Sequence, residues 1–217
     1  MNLEKCYFPA MRRVILYLVA VGLATASSAE IPVTDSTIIP GERVGPIQKG
    51  MTLEQVKDLA EGHGEIKELS SPLFYEKEIH RTMIFGGTGH EVNVVSETRG
   101  EGAVLAVFLA GADWKPPFDL RKDLSPEEVE KANGKPFRIY AFNWGMGGGA
   151  ELDGGKLSGK IMLIFDRDLA LTGMNQWFSS DTEKVRKSAT KVQEIGVIFQ
   201  AAAPPPPKEE GGAPLAK

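Results

Sequence analysis

Cysteine is nearly absent, since the chain of 217 residues contains only Cys6. This residue lies upstream of an apolar run at 14–26, whereas the lipidated cysteine of a lipoprotein follows such a run, so no lipid anchor is expected. The chain after residue 6 has no thiol and can form no disulfide. We therefore expect an apolar core to hold the folded part together.

Recognisable catalytic motifs are missing as well. No serine stands in a G-x-S-x-G setting. The GGTGHE stretch at 86–91 looks like a phosphate loop, but a strand-like alternation follows it where a phosphate loop needs a helix. Asp166 and Asp168 are a conceivable acid–base pair, for which a solvated strand end is the simpler interpretation. We expect no enzyme, no catalytic residue and no cofactor.

Histidine is scarce, with three residues in the chain. His80 and His90 fall in a predicted hairpin, 79–85 and 90–97, around a glycine-rich turn. A tip at Gly87-Thr88 places the two histidines on opposite faces, roughly 16 Å apart from the rise per residue of a strand. They cannot share a metal ion, and no metal site is predicted. The predicted core face of the hairpin holds Met83, Phe85, Val92 and Val94.

Basic charge is not in excess. Downstream of residue 29 the chain has 22 basic and 28 acidic residues, a net charge of −6. This balance does not favour the phosphates of nucleic acid or an anionic lipid surface. We therefore expect neither nucleic acid nor a membrane surface as the main partner.

Both ends of the chain have a distinctive composition. Arg12 and Arg13, the apolar run and Ser27-Ser28-Ala29 follow the order of a secretory signal peptide. The run has 13 residues, fewer than the ~20 of a spanning helix, so a signal peptide over 1–29 is predicted rather than a retained anchor. Translation starting at Met11 would give a better signal peptide. Residues 201–217, with four consecutive prolines and no aromatic residue, predict a disordered tail. The expected location is the periplasm or the exterior of the cell.

The chain between these ends contains an internal repeat. Residues 47–57 and 120–130 align at a constant offset of 73. Each copy carries a capping box at the same place, Thr52 with Gln55 and Ser125 with Glu128, which predicts a helix start. The predicted helices span 52–60 and 125–132. The identical pairs are Lys49 with Lys122, Glu54 with Glu127 and Val56 with Val129.

Strand patterns follow each predicted helix. The strands after the first helix are 79–85, 90–97 and 102–110, with a further one at 73–78, and those after the second are 136–144, 159–166 and 191–199. This order predicts an α+β fold of two tandem units, 30–112 and 113–200, whose antiparallel strands can join in one continuous sheet. Helices would cover one face of the sheet and leave the other for a partner.

Aromatic residues concentrate in the predicted strand 136–144. Alternation places Tyr140, Phe142 and Trp144 on one face of this strand and Phe137, Ile139 and Ala141 on the other. The first set is either a partner interface or core packing. The glycine-rich stretch 142–159 that follows predicts a flexible hairpin connection.

Two stretches resemble known families. GPIQKGMTLEQVK at 45–57, with its degraded copy at 118–130, resembles the helix entry of the β-lactamase-inhibitor-like fold, which the small lipoprotein of outer-membrane assembly shares. The second half, with NGKPF at 133–137, FNWGMGG at 142–148 and GGKL at 154–157, is similar to a group of uncharacterised bacterial exported proteins. The resemblance implies tandem helix-on-sheet units and non-catalytic protein binding. The inhibitors' disulfides and the lipoprotein's anchor have no counterpart here, so no specific function or residue carries over.

The sequence thus predicts a non-catalytic periplasmic protein that binds another envelope or secreted protein. The predicted partner-binding residues are Tyr140, Phe142, Trp144 and Met146. The alternative is a glycan-binding or small-molecule-binding protein, or a hydrolase, that uses Trp144 and Asp166.

Overall fold

The computed structural model describes residues 32–69, 79–97, 102–142, 147–173 and 176–199. They contain three helices and twelve short strands, so the predicted α+β class is confirmed. The helices are α1 (Leu53–Ala60), α2 (Pro126–Asn133) and the single-turn α3 (Glu183–Arg186). The strands are β1 (Ile38–Ile39), β2 (Arg43–Val44), β3 (Ile47–Gln48), β4 (Glu65–Leu69), β5 (His80–Gly86), β6 (Val92–Ser96), β7 (Val104–Leu109), β8 (Arg138–Tyr140), β9 (Ala150–Glu151), β10 (Ile161–Phe165), β11 (Trp177–Ser179) and β12 (Val192–Ile198).

Both capping boxes form as predicted. The Thr52 hydroxyl accepts from the Gln55 amide at 3.2 Å, and the Gln55 side chain accepts from the Thr52 amide at 2.9 Å. In the second copy the Ser125 hydroxyl accepts from the Glu128 amide at 3.3 Å, and the Glu128 carboxylate accepts from the Ser125 amide at 2.8 Å. The repeated sequence therefore encodes the same start for α1 and α2.

One antiparallel sheet of six strands joins the two halves of the sequence, in the order β10-β12-β7-β6-β5-β4. The two halves meet at the pair β7 and β12, which are the last strands of their halves. The bridge between Gly149 and Ile164 connects β10 to a second sheet, β11-β8-β9. On one side of this pair lie β6, β5 and β4, and on the other side lie β10, β9 and β8. Among these strands of each half, therefore, the ones that come later in the sequence after the repeat copy lie closer to the pair β7 and β12.

The main core lies between the helices and one face of this sheet. Leu53 of α1, Val129 of α2 and Val185 of α3 are buried in the same cluster as Val107 of β7 and Val197 of β12. The neighbouring strand residues point to the other face, where a smaller cluster contains Ile79, Val95, Ala106 and Phe108 with the half-buried Met162 and Ile164. Among the described residues, helices therefore cover one face of the sheet, as predicted.

The predicted register of the β5–β6 hairpin is wrong by one residue. Ile84 pairs with Val92, and Met83 pairs with Asn93. A one-residue shift reverses the faces of β5 relative to β6, so Ile84 takes the core position that was predicted for Met83. Phe85, Val92 and Val94 are buried in the core as predicted. The cause is the end of β5, where Phe85 has a left-handed φ of 57° and a five-residue connection, 87–91, replaces the predicted tight turn.

Other strands were predicted at the wrong length or missed. Of the strand predicted over 136–144, the described residues form only β8, and the strand predicted over 73–78 lies outside the described residues. The first small sheet, β1-β2-β3, and strands β4, β9 and β11 were not predicted. Most have two or three residues, too few to show an alternating pattern. None of the described helices is both long and apolar enough to cross a membrane.

Candidate functional site

The second sheet, β11-β8-β9, carries a surface that we call the aromatic patch: Arg138, Tyr140, Glu151 and Trp177. Trp177 is opposite Tyr140, and Arg138 is opposite Glu151. The alternating residue of β8, Ile139, is fully buried in the core. Since successive side chains of a strand point to opposite faces, the four patch residues share the outer face of this sheet.

The side chains of the aromatic patch are in mutual contact. The rings of Tyr140 and Trp177 meet edge to face, with centroids 4.4 Å apart and an interplanar angle of 79°. The guanidinium carbon of Arg138 lies 5.2 Å from the centroid of Trp177. Trp177 is 36% exposed and lies on the edge strand of its sheet. The patch therefore offers an indole that two neighbouring side chains hold in place.

An ion pair forms the other end of the patch. Arg138 pairs with the carboxylate of Glu151, whose side chain is 19% exposed against 43% for Arg138. Burial raises the pKa of Glu151, the charge of Arg138 opposes this, and Asp153 adds to the rise. Arg138 is thus shared between a carboxylate and an indole, while much of its side chain stays accessible to solvent.

The four predicted partner-binding residues have different surroundings. Tyr140 belongs to the aromatic patch, whereas Phe142 packs against the core and its amide donates to the carbonyl of Leu171 at 3.1 Å. Tyr140 and Phe142 therefore do not form one continuous aromatic face. Trp144 and Met146 lie outside the described residues.

The later part of the glycine-rich stretch belongs to the core, which corrects the prediction of a flexible connection. Leu152 and Leu157 are buried. The fully buried Asn133 at the end of α2 accepts from the Leu157 amide at 3.2 Å and donates to the carbonyl of Lys135 at 3.1 Å. A Cβ at Gly155 would overlap the carboxamide of Asn133. This glycine thus permits a close approach between the segment and α2.

The two aspartates of the alternative prediction tie loops together. Asp166 accepts from the amide of Lys191 at 2.5 Å and from the Thr190 hydroxyl at 3.1 Å. Asp168 accepts from the amides of Ala170 and Ala189, each at 2.7 Å. Both carboxylates accept hydrogen bonds from other residues of the chain, as expected of residues that stabilise the fold. The glycan or hydrolase alternative therefore gains no support from Asp166.

The His90 side chain contacts two neighbouring residues. The Nδ1 atom of His90 is 3.7 Å from the carboxylate of Asp113, and its ring meets that of Trp114 edge to face. Within the described ranges no three His, Cys, Asp or Glu side chains are grouped closely enough to hold a metal ion.

Sequence reasoning missed Arg138, Glu151 and Trp177. Trp177 lies 37 positions after Tyr140, in a segment without a recognisable strand pattern. Its pairing with β8 depends on the path of the chain through β9 and β10, which local periodicity does not encode. The available signal was the aromatic pair Trp177-Phe178, a residue type enriched in strands, but three residues are too few to show an alternating pattern.

Comparisons with protein-family models, with curated proteins and with solved structures found no match.

Proposed function

We propose that the protein is a non-catalytic binding protein that recognises another envelope or secreted protein through the aromatic patch. The observation that carries this proposal is Trp177, an exposed indole on an edge strand in contact with both Tyr140 and Arg138. Trp, Tyr and Arg are the residues most enriched where truncation weakens a protein–protein interface most.

The existing contacts within the patch favour binding. Ordering a flexible side chain on association costs about 0.5–1.5 kcal/mol. Arg138 is already held by Glu151 and by the Trp177 ring, so part of this cost has been met in the free protein. The location we propose is the periplasm or the exterior of the cell, on the strength of the signal-peptide pattern at 1–29. No cofactor is part of the proposal.

Site-specific photo-crosslinking in the producing cell tests the proposal. One variant has a photoreactive amino acid at Trp177, and a matched control has it at Ile66 of β4, which is 39% exposed against 36% for Trp177. We expect a discrete adduct with a different protein from position 177 and none with a different protein from position 66. The same adducts from both positions, or none from position 177, would refute the assignment of the patch.

A ligand panel separates this proposal from glycan binding. A ligand at 100 times its Kd stabilises a protein by about 2.7 kcal/mol, which thermal unfolding detects. We expect no shift with soluble oligosaccharides. A clear shift that disappears in Trp177→Ala would instead establish the patch as a sugar site.

A further inference from the structure

Strand β4 is the last strand on its side of the six-stranded sheet. It pairs with β5 on one side, and none of the described strands lies on the other. Residues 65–68 are exposed, and Ile66, at 39%, is one of the few large apolar side chains of the described residues that solvent reaches. Within the described ranges, the outer edge of β4 therefore presents backbone amides and carbonyls to which another strand can add.

Edge strands of natural proteins are commonly guarded against such pairing by bulges, prolines or charges. β4 contains no proline. Beside it, Glu65 pairs with Gly86 and Lys67 pairs with Met83, so the extra residue of this irregular register belongs to β5 and β4 stays regular. Of these three guards only the charges are present in β4, and their order determines which strand it accepts.

A second copy of the same strand is a partner whose side chains are known. Two identical antiparallel strands in one sheet are related by a twofold axis perpendicular to the sheet, and every contact away from the axis occurs twice. Residues directly opposite each other point to the same face, and faces alternate along a strand. The axis must therefore pass through a residue paired with itself, and the only choice is which residue of β4 this is.

One choice alone brings opposite charges together. With Ile66 on the axis, the two Ile66 side chains are neighbours, and Glu65 of each copy lies opposite Lys67 of the other. With Glu65, Lys67 or Glu68 on the axis, a charge faces itself at the centre of the contact. With Leu69 there, no charged residue of β4 faces another. Directly opposite charges stabilise a pair of strands when their signs differ and destabilise it when they agree, so the sequence of β4 selects the register centred on Ile66.

We propose that β4 pairs with β4 of a second copy of this chain, with Ile66 on the twofold axis, so that the two six-stranded sheets join edge to edge. Glu65 and Lys67 are available for this contact, because neither forms an ion pair with another described residue. Two five-residue strands bury less than the ~1,200 Å² of a stable complex, so the dimer is reversible. This surface is separate from the aromatic patch, and the inference does not depend on the proposed function.

A disulfide trap tests the position of the axis, because the chain after residue 6 has no cysteine. In the full chain with Cys6→Ser, Ile66→Cys should give a disulfide-linked dimer with oxidised glutathione. Residues opposite each other on antiparallel strands have Cα atoms about 4.5–5.5 Å apart, which is within the range of a disulfide. The matched control is Glu68→Cys, exposed on the same strand. Its two copies would lie about 14 Å apart across the axis and should form no such dimer.

Exchanging the two charges in the Ile66→Cys protein tests the register. Glu65→Lys and Lys67→Glu should each lower the yield of trapped dimer about fourfold or more, because two attractive pairs become repulsive. The double variant recreates both pairs with reversed signs and should regain the yield. An equal mixture of the two single variants should form the mixed dimer for the same reason. The Tm of every variant should stay unchanged, since both positions are exposed.

Each outcome decides the inference. No dimer from Ile66→Cys overturns it, as does a dimer that Glu68→Cys forms equally well or whose yield the charge exchange leaves unchanged. In the photo-crosslinking experiment, position 66 should give an adduct between two copies of this chain. An adduct with a different protein from position 177, without a trapped dimer, overturns the β4 pairing alone. A trapped dimer without an adduct from position 177 supports the pairing and refutes the patch alone.

Discussion

Replacing Asn133 and Gly155 by alanine, singly and together, tests whether the glycine-rich stretch is part of the core. Asn133→Ala removes the acceptor of the Leu157 amide, and Leu157 is fully buried. The other partner, the carbonyl of Lys135, belongs to an exposed residue and can turn to water. One buried donor without an acceptor costs about 1–3 kcal/mol, which is the expected loss for Asn133→Ala.

Gly155→Ala should cost a similar amount for a different reason. The added Cβ overlaps the Asn133 carboxamide, so the amide group must move and the same hydrogen bond to Leu157 is disturbed. Overpacking of this kind costs about 1–3 kcal/mol. In the double variant the Cβ occupies the space that Asn133 vacated. The double variant should therefore be about as stable as Asn133→Ala, with a coupling energy of about 1–3 kcal/mol.

Urea unfolding of the four proteins measures this coupling as shifts of the midpoint at constant slope. Gly154→Ala is the matched control, because its cost arises from a φ of 69° and its Cβ would meet only the end of the Lys135 side chain. This variant should combine additively with Asn133→Ala. Additivity of Gly155→Ala with Asn133→Ala within about 0.5 kcal/mol would refute the close packing and restore the view of a flexible loop.

Two further predictions concern local interactions. Thr52→Ala and Ser125→Ala should each destabilise the protein by about 1 kcal/mol, measured by urea unfolding, because each breaks a capping box; an unchanged midpoint in both would contradict the caps. Hydrogen bonds from Arg43 and Thr37 lower the pKa of Asp35 from 3.8 to about 2. Asp35 therefore stabilises the fold above about pH 4 and loses this effect as the pH falls through its folded value. Asp35→Asn should cost about 1–2 kcal/mol near pH 7, allowing for partial exposure, and almost nothing near pH 2; a difference that does not depend on pH would contradict this.

The predicted division of the aromatic strand into two faces agrees with the structure only in part. Alternation along the strand placed Phe137, Ile139 and Ala141 on one face, and all three are buried in the structure. It placed Tyr140 on the opposite face, where the structure has it, but not Phe142, because regular strand geometry ends at Tyr140. Position along a strand predicts the side of a residue only while the strand continues.

Patterns within a few neighbouring residues were sufficient to predict the positions of some helices and strands. The capping boxes at Thr52 and Ser125 placed both longer helices to within a residue, and the apolar runs placed β7, β10 and β12. These elements depend on hydrogen bonds and apolar spacing inside one segment, so the sequence specifies them directly.

Contacts between distant segments required the folded chain. The contact of Trp177 with Tyr140 and the pairing of Ile84 with Val92 depend on strand register. The packing of Gly155 on Asn133 depends on the path of the loop past the end of α2. Register is set by which side chains the whole core buries and by irregular backbone, such as the left-handed φ of Phe85. Alternation within one strand is compatible with either of two adjacent registers, and burial against the rest of the fold selects one of them.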